Sequence, residues 1–263
     1  MHLHEKNIAV VMLHGSCDMF CKFCITDNAV ECMTPDDFAE TLTVLEKAGF
    51  TNIVIGGGEP FTWPYGLHNA AKIAKSKGFL VQVGTNGIKM PDGAAYPDCV
   101  DRYVLPLDGT TRTEHNRVRH FPHQIGGHFQ IIMNRLAQLK EAERSVTVST
   151  VVTRHTVANL HTLGAFLADY VQTGGILHAW HLYRFLPAGR GGAKSAEELS
   201  ISSAEFEDAT TAVKDQHYPF TIFKRRDMRH SAHVDFFWRQ KGTVLRGSDY
   251  WKQTAALSPI GAF

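Results

Sequence analysis

Apolar, β-branched runs alternate with segments of helical period from residue 7 to residue 185, and few folds accommodate that order. Residues 7–13 read as a buried strand, followed by a polar loop rich in cysteine. Thr34-Pro35-Asp36-Asp37 then supplies an N-cap, a first-turn proline and early acids, with Phe38, Leu42 and Leu45 on one helical face. The unit recurs, with strands at 52–55, 80–83, 102–107, 146–152 and 178–185. Between them lie helical patterns such as Leu67, Ala70 and Ala74, then Phe129, Ile132, Leu136 and Leu139, then Leu160, Leu163, Phe166 and Tyr170. Strands joined through helices need crossover connections, which make the sheet parallel. Six strands fall short of the eight that close a full barrel. The chain is therefore predicted to be an α/β protein, with a partial, open (β/α)6 TIM-like barrel over residues 1–190 and its site at the strands' carboxyl ends.

After Phe185 the texture changes. Gly189-Arg190-Gly191-Gly192 begins a polar connection, Ser203 is placed to cap a short helix through Lys214, and 220–223, 235–238 and 243–245 suggest antiparallel strands around a Lys241-Gly242 turn. Residues 191–263 are expected to form a small C-terminal extension packed on the barrel.

With 44% hydrophobic residues the chain can bury a sizeable core, and a formal net charge of +1 gives no global attraction to a nucleic-acid polymer or a membrane. No secretory leader pattern and no apolar stretch of membrane-spanning length is visible, so a reducing cytoplasm is the expected location. Three of the five cysteines crowd into eight positions, which in that setting points to metal binding rather than disulfides.

Those three form a C-x3-C-x2-C run, Cys17, Cys21 and Cys24. Three thiolates on a tight loop can hold three corners of a cubane cluster and leave one iron open. Closely spaced cysteines also suit a Cys3His zinc site, completed by a residue such as His14. Taken alone, the run leaves both readings standing. Cys32 and Cys99 are not arranged as a second site and read as inert thiols.

The cysteine run after the first strand, followed by Gly57-Gly58-Glu59-Pro60 after the second, resembles the radical S-adenosylmethionine superfamily and its GGEP element. The resemblance extends over about residues 7–190. Leu107-Asp108-Gly109 with His115, Asn116 and Arg119 is similar to a stretch found in the branch of molybdenum-cofactor GTP cyclases and peptide-modifying enzymes, although Pro106 stands where a serine is usual. A fainter similarity to viperin-like nucleotide enzymes lies in residues 180–185. The resemblance implies that Cys17, Cys21 and Cys24 ligate one [4Fe–4S] cluster and that S-adenosylmethionine chelates the open iron. It further implies that Gly57, Gly58, Glu59 and Pro60 receive the cofactor's amino group, Phe23 and Leu186 lie by its adenine, and Ser149 and Arg154 reach its ribose and carboxylate. Reductive cleavage would then give a 5′-deoxyadenosyl radical that abstracts hydrogen from substrate, with an electron donor such as flavodoxin or ferredoxin. The basic run Arg225, Arg226 and Arg229, and the lack of cysteines for auxiliary clusters after Cys99, favour an anionic small molecule, possibly a nucleotide. Modification of a peptide or protein, and a non-catalytic zinc or iron–sulfur module, are the alternatives.

Overall fold

The computed structural model describes residues 7–92, 96–121 and 127–251. Its sheet has nine strands. They are β1 (Ile8–Met12), β2 (Asn52–Gly56), β3 (Leu80–Gly84), β4 (Arg102–Pro106), β5 (Val146–Val152), β6 (Leu177–Arg184), β7 (Thr221–Arg225), β8 (Val234–Gln240) and β9 (Thr243–Arg246). The strands from β1 to β7 pair in chain order, all parallel. β8 then adds parallel to the outer edge of β1, and β9 folds back antiparallel on β8.

This corrects the expected antiparallel extension. The Lys241-Gly242 turn does join two antiparallel strands, but 221–225 and 234–240 extend the parallel sheet at its two rims. Eight parallel strands result, where six were expected. The run Val234–Gln240 reads as an independent hairpin because it is apolar on both faces, yet that pattern also suits a strand covered on both sides. Among the described residues no hydrogen-bonded ladder joins β7 to β8, so the ring stays split there.

The period of two sorts each strand's residues. Val11, Ile53, Ile55, Val81, Val83, Leu105 and Val148 are fully buried on the helix-covered side. The alternate residues Val10, Val54, Gln82, Val104, Ser149, His181 and Phe236 all line one cavity of about 370 Å³, so the sheet curls round it. Helices α1 (Pro35–Lys47), α2 (Leu67–Ser76), α3 (Arg112–Val118), α4 (Gly127–Glu141), α5 (Leu160–Gln172) and α6 (Ser203–Lys214) complete the described set of longer helices. Thr34 and Asp37 form a capping box on α1, satisfying N–H groups that the helix cannot, and the helix lays Phe38, Leu42 and Leu45 on the sheet. On α6 the cap is Ser202 rather than Ser203, because Glu205 completes its capping box at that spacing. Among the described residues, no helix is long and apolar enough to cross a membrane.

Candidate functional site

The cavity opens at the carboxyl ends of the strands, where the loop after β1 brings Cys17, Cys21 and Cys24 onto its wall, all unpaired by disulfide. Backbone contacts fix this loop from two sides. On one side Gly58 N–H donates to the His14 carbonyl at 2.7 Å and Glu59 N–H to the Ser16 carbonyl at 2.8 Å. A methyl on Gly58 would stand 1.8 Å from the Ser16 oxygen, so only glycine permits that approach. On the other side Gly191 and Gly192 N–H groups donate to the Cys24 carbonyl, and the Arg190 guanidinium donates to the Gly15 carbonyl at 2.6 Å. A methyl on Gly191 would lie 2.3 Å from the Cys21 oxygen. The Gly189–Gly192 turn, which the sequence suggests is a polar connection, is thus a clamp on the cysteine loop.

Donors point at two of the sulfurs. The Asn86 side-chain amide lies 3.8 Å from Cys17 Sγ and 2.7 Å from Asp18 Oδ1, and the Met19 N–H reaches Cys17 Sγ at 3.4 Å. The Arg119 guanidinium lies 3.8 Å from Cys21 Sγ, pairs with the fully buried Asp108 and stacks over the Phe23 ring at 4.6 Å. Asp108 also accepts from Val151 N–H at 2.7 Å, tying β5 to the loop after β4. Burial pushes the Cys21 thiol up to about 12 against the pull of Arg119, and burial likewise raises Cys17.

These observations fit an iron–sulfur cluster. Three thiols on one wall, with amide and guanidinium donors directed at two of them, form a set in which metal coordination replaces the thiol protons and the donors support the resulting charge. They fit a zinc ion shared with His14 poorly. The His14 ring is buried, its Nδ1 accepting from Ser16 N–H at 3.2 Å and its Nε2 bonded to the Glu59 carbonyl at 3.0 Å. Both nitrogens are occupied. Among the described residues no three His, Cys, Asp or Glu side chains converge as the ligands of a single ion must.

Glu59 is fully buried behind the wall rather than on it. Its carboxylate accepts from Thr85 Oγ1 at 2.7 Å, Phe61 N–H at 3.1 Å and Asn86 N–H at 2.7 Å, which ties the end of β2 to the end of β3. Burial lifts it to about 7, although those donors favour the charged form. A second buried link runs from the Asn86 carbonyl to His128 Nε2 at 2.7 Å, from His128 Nδ1 to His115 Nε2 at 2.8 Å, and from His115 Nδ1 to Asp108 N–H at 3.1 Å. The two histidines are therefore held neutral, His128 down to about 3 and His115 well below its ordinary value, by burial.

The other expected residues divide. Phe23, Gly57, Gly58, Ser149, Leu186 and Arg225 line the cavity. Pro60 is buried at the start of a 3-10 turn and does not. Arg154 is exposed, because β5 ends at Val152 and the Thr153–Thr156 turn carries it outward beside Glu205. Arg226 points outside as well and forms a two-pronged pair with Glu207, while Arg229 folds onto Asp227 at 3.0 Å. Neither lines the cavity. Sequence reasoning passed over Gln82, His181, Tyr183, Arg184 and Arg190 as lining residues. Inward alternation on the strands could have found the first three.

Residues 11–166 match the Radical SAM superfamily. The chain is 26% identical over 200 residues to the AdoMet-dependent heme synthase of Nitratidesulfovibrio vulgaris, covering 73% of this chain and 51% of that protein. It is 28% identical over 131 residues to the S-adenosylmethionine-dependent nucleotide dehydratase of a Thermoplasmatales archaeon, covering 48% of this chain and 45% of that one. The chain thus spans about half the length of these curated relatives. Among solved structures, SuiB of Streptococcus suis bound to S-adenosylmethionine superposes with a TM-score of 0.63 at 14% identity, over 84% of this chain and 47% of that one. The sulfatase-maturase-type structure titled anSMEcpe with bound AdoMet gives 0.63 at 13% identity, over 82% of this chain and 63% of that one. At such identities the likeness is one of fold.

Proposed function

The chain belongs to the Radical SAM superfamily, and from that premise we propose that it is an enzyme that initiates hydrogen abstraction from an anionic small molecule held inside the split barrel. The cluster and the sulfonium cofactor, when bound, supply the electron and the carbon radical for that abstraction. In this reading Cys17, Cys21 and Cys24 hold the cluster, and an external one-electron donor such as flavodoxin or ferredoxin serves it in the cytoplasm. Gly57 and Gly58, on the wall beside the cysteines, offer unhindered backbone to the cofactor's amino group. Phe23, Leu186 and Ser149 surround the space left for its nucleoside. Glu59 acts through Thr85 and Asn86, holding the loop whose amide faces Cys17, and so positions the cluster edge of the site. Apolar walls exclude the water that would quench a radical.

The observation that carries the anionic substrate is the charge of the wall. Arg119, Arg184, Arg190 and Arg225 line the cavity, and among the described lining residues there is no Asp or Glu. Anaerobic reconstitution with iron and sulfide tests the cluster. Wild-type protein should gain the broad absorbance of an iron–sulfur cluster and release 5′-deoxyadenosine from S-adenosylmethionine under dithionite, whereas alanine at any of the three cysteines should abolish both. Zinc held tightly with no iron–sulfur absorbance would refute the assignment.

A further inference from the structure

The cavity wall is not uniform round the ring. The arc from β5 to β7 presents Ser149, His181, Tyr183 and Arg225, whereas the arc from β8 through β1 to β2 presents Val234, Phe236, Ile8, Val10 and Val54. Ile8 and Val234 are the first residues of their strands and pair with each other, so the apolar arc runs to the end of the barrel remote from the cysteine loop. The two arcs meet at the split between β7 and β8.

The cations are not equivalent either. Arg119 is neutralised by Asp108, Arg190 is bound to the cysteine loop, and Arg184 donates to the Ser203 hydroxyl. Arg225 differs. Its Nε is buried with no hydrogen-bond partner, and its guanidinium lies over the Phe223 ring at 4.9 Å. Beside it stand Tyr183, at the paired position on β6, and His181, whose Nδ1 lies 3.1 Å from the Tyr183 hydroxyl. A guanidinium with a free Nε–H accepts a carboxylate side-on through two parallel N–H···O bonds. One such cation balances one negative charge, far short of a polyphosphate. Buried polar groups without partners are costly and call for a ligand.

We propose that the substrate is an amphiphilic carboxylate, its single carboxylate paired with Arg225 between Tyr183 and His181, and its apolar body laid along Ile8, Val10, Val54, Val234 and Phe236. This rests on the radical-enzyme reading above and narrows its substrate class away from nucleotides. Binding to the reconstituted protein with S-adenosylmethionine present tests it, with dodecanoate, dodecanol and cytidine triphosphate as probes in calorimetry. Dodecanoate should bind about tenfold or more tightly than dodecanol, the difference one charge-assisted pair supplies. Arg225→Gln should erase that difference, Arg225→Lys should keep part of it, and Arg226→Gln, on the outer surface, should leave it intact. Equal binding of dodecanoate and dodecanol, or a preference untouched by Arg225→Gln, overturns the carboxylate assignment. Tighter, Arg225-dependent binding of the triphosphate overturns the apolar body. A chain that holds iron and cleaves its cofactor, yet fails these comparisons, refutes the amphiphile alone; one that holds no iron refutes the underlying reading.

Discussion

Arg119 shows how much one side chain carries here. It is buried, neutralises a fully buried Asp108, covers the Phe23 ring and directs an N–H at Cys21 Sγ. Removing one partner of a buried pair strands the other charge, which costs about 3–5 kcal/mol. Arg119→Met is therefore expected to lower unfolding stability by about that amount, read by chemical denaturation of the cluster-free protein, while Asp108→Asn with Arg119→Met together should recover part of it. A loss below about 1 kcal/mol would show that solvent reaches Asp108 in place of the guanidinium. The sequence offered Asp108 and Arg119 as parts of one motif, but not their partners. Cys21 is 98 residues from Arg119, and no local spacing encodes that meeting. The same limit explains Arg154, where the residue type suits a carboxylate contact but the turn after β5 sends it to the surface.

At the scale of elements, strand ends do most of the assembly. The loops after β2, β3 and β4 are linked by Glu59, Asn86 and the His128–His115 pair, all buried. Both histidines have folded-state values below the ordinary 6.5. As pH falls through 6.5 the unfolded chain takes up protons that the folded chain refuses, so folding stability drops from about pH 6.5 downward and is unaffected by this pair above it. Unfolding midpoints measured from pH 7.5 to 5 should fall, and His128→Gln, which can still donate to the Asn86 carbonyl, should flatten the slope. A variant as pH-sensitive as the wild type would place the titration elsewhere. The strand–helix alternation and the capping of α1 were plain in the sequence because both depend on neighbours within a few positions. The Gly189–Gly192 clamp was not, although a glycine run after a strand signals close backbone approach.

For the whole molecule, the rim strands decide what counts as a folding unit. The sequence suggests a core of residues 1–190, yet β7 and β8 belong to the sheet, and β8 covers β1 with Phe237 packed on Phe50 at 5.6 Å. A fragment ending at residue 190 would bare the edge of β1 and the cluster of Met12, Val234, Phe236 and Trp238 contacts around it. That fragment is expected to be insoluble or to lack a cooperative thermal transition, which circular dichroism would show directly; a sharp transition would restore the shorter unit. Extension strands elude sequence reading because a parallel edge partner can be supplied from anywhere along the chain.

The split between β7 and β8 has a mechanical meaning. In a closed ring, widening the bore stretches a ladder of hydrogen bonds at every seam, and the cylinder is stiff for that reason. Here one seam carries no ladder among the described residues, and the chain crosses it only through the short connection holding the Met228–His230 turn. The wall therefore behaves as a cut hoop with a strap across the gap, whose diameter is set by side chains meeting at the lips rather than by the backbone. Arg225 stands on one lip and Phe236 on the other. Guests of different girth can then share one frame without any strand leaving its neighbour.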